Sequence, residues 1–265
     1  MNRIEQRFAD LRARGQKGLV VYIGAGDPDL AATRNLGLAF DRAGVDILEL
    51  GVPFSDPLAD GIVNQLAAQR GLSSGTTPAS VLEMVSDLRK SSQIPVVLYV
   101  YFNLLHRVGL ERFIADAARA GVDGLLVLDL PPEESDAYEA LMERAGLSNI
   151  YLIAPTTPDD RIELIARRAR GFLYYVSREG VTGMQSRISD TIAAMTAKIR
   201  NHSNLPIAIG FGISDDAQAR AVAVHGDAIV VGSAVVNRIA HLGASAQLVP
   251  EVSAFVKSLA AAIKP

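Results

Sequence analysis

Two carboxylates carry the first chemical signal in this chain. Glu49 interrupts the apolar run VDILELGV (45–52), and Asp60 follows it in ELGVPFSDPLADG (49–61). Side chains alternate along a strand, so Val45, Ile47 and Glu49 share one face while Asp46, Leu48 and Leu50 share the other. A carboxyl group among apolar neighbours is costly to ionise. Desolvation raises its pKa and lets it give and take a proton near neutrality. The competing reading is a buried ion pair, yet the other apolar runs supply almost no cation to form one. Asp60 alone reads as a helix cap before GIVNQLAAQRG, and Asp56, before Pro57, as a turn residue. Its position just beyond a rim glutamate makes Asp60 the second candidate.

Further signals lie downstream. In YYVSREGVTG (174–183), Tyr175 shares parity with Leu173 and Ser177 and is expected to face inward, where its ring could pack a planar substrate. Arg178 to Arg187, with Gly180 and Gly183 and few apolar anchors, suits a mobile lid and a plain surface loop equally. Gly210-Phe211-Gly212 closes one apolar run, and Gly232-Ser233 closes the next, just before the helical AVVNRIA. Glycines let backbone N–H groups approach a ligand, and a helix N-terminus favours an anion. The alternative is a pair of glycine turns with a serine cap. Two such pairs together point to phosphate. Cysteine is absent, which excludes thiolate chemistry, and His106, His202, His225 and His241 have no metal-ligand spacing. No metal site is expected from them.

These residues need a frame. Eight apolar runs occur at 18–26, 45–52, 94–102, 123–130, 149–155, 171–177, 206–212 and 227–233. Most are continuous, as strands of a parallel sheet buried on both faces are. Helical patterns lie between them; those at 29–44 and 110–121 end on Gly44 and Gly121. Thr77-Pro78 reads as a cap followed by proline at the first helical position. Ahead of all this, Ile4, Phe8 and Leu11 form one stripe of an amphipathic helix. The expected fold is α/β: a (β/α)8 barrel with an additional N-terminal helix and extra short helices, in a single domain over 1–265. An open doubly wound sheet is the alternative, but it needs an edge strand and none looks blunted. In such barrels active sites lie at the carboxyl ends of the strands, and the loops after strands seven and eight commonly grip phosphate. A net charge of -3 gives no footprint for nucleic acid. The charged N-terminal segment lacks a signal-peptide core and no apolar run is long enough to span a membrane, so a cytoplasmic setting is expected.

The motifs AGDPD (25–29), ELGVPFSDPLADG (49–61), DLPPEE (129–134), APTT (154–157), YYVSREGVTG (174–183), GFGIS (210–214) and VVGSA (230–234) together resemble the tryptophan synthase alpha subunit family, essentially from end to end. The resemblance implies a (β/α)8 barrel that splits indole-3-glycerol phosphate into indole and glyceraldehyde 3-phosphate by a retro-aldol reaction, without metal or organic cofactor. It implies that indole passes through a tunnel to a pyridoxal-phosphate beta subunit in an α2β2 complex. It places catalytic roles on Glu49 and Asp60 and the indole site at Tyr175. Phosphate contacts fall on Gly183, Gly212, Gly232 and Ser233, with Thr182 on the lid. Tyr22, where the family commonly has Phe, and Phe102 are further substrate contacts. Glu49 would shuttle protons while Asp60 accepts from the ring N–H.

The chain departs from the family at Ile62-Val63-Asn64, where Pro-Thr-Ile is usual, and at Leu104, where Pro is usual. These positions are expected to leave Glu49 and Asp60 untouched and to bear on partner contact. A stand-alone indole-releasing lyase and a non-catalytic activator subunit are the alternatives.

Overall fold

The computed structural model describes residues 2–176 and 185–264. Eight parallel strands close into a barrel in chain order: β1 (Gly18–Gly24), β2 (Ile47–Gly51), β3 (Val96–Val100), β4 (Gly124–Val127), β5 (Ser148–Ile153), β6 (Leu173–Val176), β7 (Ile207–Gly210) and β8 (Ala228–Val231). Closure rests on β1, which pairs with β2 on one side (Val20 with Ile47) and with β8 on the other (Gly18 with Ala228). No edge remains for an open sheet. Each strand is shorter than its apolar run, mostly because the run's carboxyl end leaves the sheet to build the barrel mouth.

The helices are α1 (Arg3–Ala13), α2 (Leu30–Ala43), α3 (Ile62–Ser73), α4 (Pro78–Arg89), α5 (Phe102–Val108), α6 (Leu110–Ala120), α7 (Asp136–Ala145), α8 (Asp159–Arg168), α9 (Gln185–Arg200), α10 (Asp216–Ala223), α11 (Ser233–Leu242) and α12 (Leu248–Ile263). Local chemistry sets their ends. Asp29 accepts the Ala32 N–H at the start of α2, which stops at Gly44 in the left-handed region. Thr77 and Ser80 form a reciprocal cap on α4, behind Pro78. None of the described helices is long and apolar enough to cross a membrane.

Two apolar layers follow from strand alternation. Leu48 and Leu50 join the layer between strands and helices, whereas Val20, Ile47, Val97, Leu126, Ile150 and Phe172 fill the barrel. The N-terminal stripe finds its purpose here. Ile4, Phe8 and Leu11 of α1 enter the inner cluster, and the Phe8 ring lies 5.7 Å from that of Phe172. α1 is thus a plug for the lower end.

That lower end also collects ion pairs. Asp46, Asp123 and Asp227 accept the N–H groups of Leu19, Val96 and Ile207, each at 2.8 Å. Each is also paired with cations: Asp46 with Arg7 and Lys264, Asp123 with Arg3 and Arg89, Asp227 with Arg200. These carboxylates tie strand starts together at the stability face. The carboxylates at the opposite rim have different surroundings.

Candidate active site

A cavity of about 810 Å³ opens at the carboxyl ends of the strands. Glu49 lines it from β2, flanked in register by Tyr22 on β1 and Val97 on β3. The side chain points inward, as alternation requires. Glu49 is only 2% exposed, and neither carboxyl oxygen has a hydrogen-bond partner among the described residues. Burial, and then the negative charge of Asp60, push its pKa up to about 8. At neutral pH the group is therefore a carboxylic acid poised to donate.

Aromatic rings surround it. Tyr22, Tyr99 and Tyr174 line the same cavity, with Tyr22 and Tyr99 meeting edge to face at 5.0 Å and 68°. Burial drives all three phenols far above their ordinary range, so they remain protonated. Gly51 is needed for this packing, because a Cβ there would lie 2.3 Å from Tyr22 Oη.

Asp60 is not the cap of α3. That place belongs to Gly61, which supplies no side-chain bond. Asp60 Oδ1 instead accepts from Tyr99 Oη at 2.7 Å, and Oδ2 accepts from Tyr101 Oη at 2.8 Å. Tyr101 Oη in turn accepts the Ala59 N–H at 3.0 Å. Asn64 Nδ2 donates to Oδ1 at 3.4 Å, and Asn64 lines the cavity. The expectation that the 62–64 departure leaves Asp60 untouched is corrected by that contact. One helical turn carries Asn64 from the start of α3 back over Asp60.

The opposite side of the mouth is built by glycines. Gly210, Phe211 and Gly212 line it after β7, and Gly212 adopts φ +66°, a left-handed conformation. After β8, α11 begins at the cavity with Gly232 as its cap, again without a side-chain bond. Ser233 is the first helical residue and not the cap. First-turn N–H groups have no partner within a helix, so this terminus can receive a phosphate.

Two expected substrate contacts are not brought to the cavity. Tyr175 is fully buried in the outer layer beside Leu173, and Tyr174 takes the inward place. The neighbouring strand explains the choice. β7 offers Ala208 and Gly210 to the interior, and a Cβ on Gly210 would approach Tyr174 Cε1 to 2.9 Å. The small residues make room for Tyr174, with Phe172 below it. Phe102 starts α5, so the chain has already turned out of β3. Its ring packs against the outer layer and stacks on His106 at 6.2 Å, while its N–H donates to Asp129 Oδ1 at 2.6 Å. Thr182 and Gly183 lie outside the described residues.

Tyr99 and Tyr101 went unread in the sequence. Both follow Val97 by even steps, so the alternation that found Glu49 also points to them. Arg161 at the rim, ion-paired with Glu133, had no such signal.

The family model described as "Tryptophan synthase alpha chain" matches residues 8–264. The chain belongs to the tryptophan synthase alpha chain family. Its similarity to individual tryptophan synthase alpha chains is high throughout. It is 48% identical to that of Geobacter sp. (strain M21) over 259 residues, covering 98% of this chain and 97% of the relative. It is 48% identical to that of Opitutus terrae over 265 residues, covering both fully. Among solved structures, tryptophan synthase subunit alpha from Legionella pneumophila superposes with a TM-score of 0.92 at 36% identity, over 99% of this chain and 98% of that one. A chain of tryptophan synthase from M. tuberculosis gives 0.89 at 30% identity, over 100% and 99%. The tryptophan synthase alpha reaction is carbon–carbon cleavage of indole-3-glycerol phosphate, and this chain is a lyase of that kind.

Proposed function

We propose that Glu49 moves the protons of this cleavage and that Asp60 stabilises the charge it creates. One observation carries the reading: an acid with a raised pKa, lacking any hydrogen-bond partner among the described residues, faces the same cavity as a carboxylate held by tyrosines. Protonated Glu49 gives its proton to indole C3. The ring nitrogen becomes positive, and Asp60 accepts its N–H. Glu49, now ionised, removes the proton from the side-chain hydroxyl. The carbon–carbon bond then breaks, its electron pair neutralises the ring, and the hydroxyl oxygen becomes the aldehyde. Glu49 ends protonated, ready for the next turnover.

Tyr22 and Tyr174 form the aromatic wall for indole. Gly212, Gly232 and Ser233 hold the phosphate together with Gly183, and Thr182 is a further substrate contact. This remote grip supplies binding energy that positions the reacting bond. The family works with a beta subunit. We infer that indole passes from this chain to such a subunit in an α2β2 complex in the cytoplasm. Leu58 and Ile62, 92% and 66% exposed beside the mouth, support a partner surface there.

The test is indole release from indole-3-glycerol phosphate by the pure chain, with and without a beta subunit. Turnover that rises with the beta subunit is expected. No turnover in either case would sink the enzymatic reading, and full speed unchanged by the beta subunit would sink the coupled one. Glu49→Gln is expected to abolish cleavage while leaving binding of glycerol phosphate intact. Near wild-type activity in that variant would refute its assignment.

A further inference from the structure

We infer that Tyr99 is a positioning residue for the cleavage: its hydroxyl, fixed in the barrel wall, holds Asp60 in place before substrate arrives. The inference rests on the role assigned to Asp60 above and concerns how that carboxylate reaches its position.

Asp60 sits on the connection between β2 and α3, whose apolar anchors, Val52 in the outer layer and Phe54 against the Tyr101 ring, lie at its start and leave Ser55, Asp56, Leu58 and Ala59 exposed. Leu58 points into solvent, and the internal backbone bonds run only from Leu58 to Asp56 and from Asp60 to Pro57. The carboxylate is instead held by hydroxyls of β3 and the residue that follows it, at 2.7 and 2.8 Å, with the longer Asn64 contact at 3.4 Å beside them. Tyr99 belongs to the sheet itself, in register with Gly51 on β2 and Leu126 on β4. Its ring is wedged edge-on against Tyr22 and packs on the cluster of Tyr22, Ala67 and Val236. The hydroxyl therefore has little freedom, and burial keeps it protonated as a donor. Tyr101 lies just beyond the strand end, and its hydroxyl also serves the Ala59 N–H. Of the two, Tyr99 is the rigid reference and Tyr101 the tether of the loop. A carboxylate offers about four lone-pair sites, so after accepting from both tyrosines and from Asn64 it can still receive the ring N–H.

Hydrogen bonds to charged groups are stronger than neutral ones. A loop carboxylate released from one of them samples positions away from the ring nitrogen, and small displacements of a catalytic group are expensive in rate. The loss should appear in kcat, because the interaction serves the transition state and not substrate capture.

The experiment compares Tyr99→Phe, Tyr101→Phe, the double variant and Asp60→Asn in steady-state cleavage of indole-3-glycerol phosphate, with glycerol phosphate binding and thermal unfolding alongside. Phe keeps the ring and its contact with Tyr22. Tyr99→Phe is expected to lower kcat roughly tenfold with KM within about twofold. Phosphate binding should hold. The double variant should fall by more than the product of the singles, since either hydroxyl alone still restrains the carboxylate. A wild-type kcat in Tyr99→Phe, or a raised KM at unchanged kcat, would overturn the inference. If Asp60→Asn retains wild-type kcat, the underlying assignment of Asp60 fails instead. If Asp60→Asn fails to turn over while Tyr99→Phe does not change, only the positioning role is lost.

Discussion

Tyr22 and Glu49 are register partners on β1 and β2, and the tyrosine hydroxyl reaches over Gly51, two residues beyond the glutamate. The aromatic wall beside the acid thus depends on a missing side chain. Gly51→Ala would set a Cβ at 2.3 Å from Tyr22 Oη and 2.8 Å from Cζ. It should destabilise the chain by about 1–3 kcal/mol, the usual range for an overpacked core. Tyr22→Phe in the same chain should recover part of the loss. Denaturant melts of the two single variants and the double measure it. Strict additivity would show that the hydroxyl does not occupy this space.

The raised pKa of Glu49 sets a pH limit on activity. The proton is delivered first, so the competent form is the acid. kcat/KM should therefore fall as pH rises through about 8, the position to which burial and the Asp60 charge push this group. A pH–rate profile measures the limb. Activity that climbs steadily through this region would show that the ionised form begins the reaction.

The same shift predicts a stability slope. An ordinary glutamate titrates at 4.5, whereas Glu49 in the folded chain titrates at about 8. Between these values the unfolded chain has lost a proton that the folded chain keeps. Stability is full below the lower value and declines as pH rises toward the upper one, by at most about 1.4 kcal/mol per pH unit. Glu49→Gln lacks this term. It should match the wild type in melting temperature near pH 4.5 and exceed it increasingly toward pH 8. Parallel curves for the two proteins would contradict the burial argument.

Alternation and run length made much of this legible from sequence. Eight apolar runs with intervening helical patterns specify the barrel, and the place of Glu49 follows from Ile47 and Leu48 on opposite faces. The stripe of Ile4, Phe8 and Leu11 was visible, but not that it plugs the barrel, since that needs Phe172 beside it. Alternation failed at β6, because Tyr174 and Tyr175 both suit either face. The small residues of β7, on another strand, make the choice. Asp60 taken alone reads as a cap because its partners, Tyr99 and Tyr101, are distant in sequence, and only its place after Glu49 marks it as a second carboxylate of the site. Phe102, a contact implied by the resemblance, falls outside the cavity because the chain has already left β3 and begun α5 there.

The start of α11 offers a test in which stability and binding part company. Ser233→Asp places a negative charge at a helix N-terminus, which stabilises the helix by about 0.3–1 kcal/mol. The same charge repels a phosphate at that terminus. The variant should melt no lower than the wild type while its KM for indole-3-glycerol phosphate rises and its affinity for glycerol phosphate falls. Unchanged affinity would place the phosphate elsewhere.

The most direct test concerns the acid itself. Carboxyl-carbon NMR of chain labelled in its glutamates, compared with Glu49→Gln, isolates the Glu49 resonance. Its titration midpoint is expected at about 8, with the protonated form dominant at neutrality. A midpoint near 4.5, the ordinary value, would mean that Glu49 is ionised in the resting enzyme, and would contradict its role as the acid that protonates the indole ring.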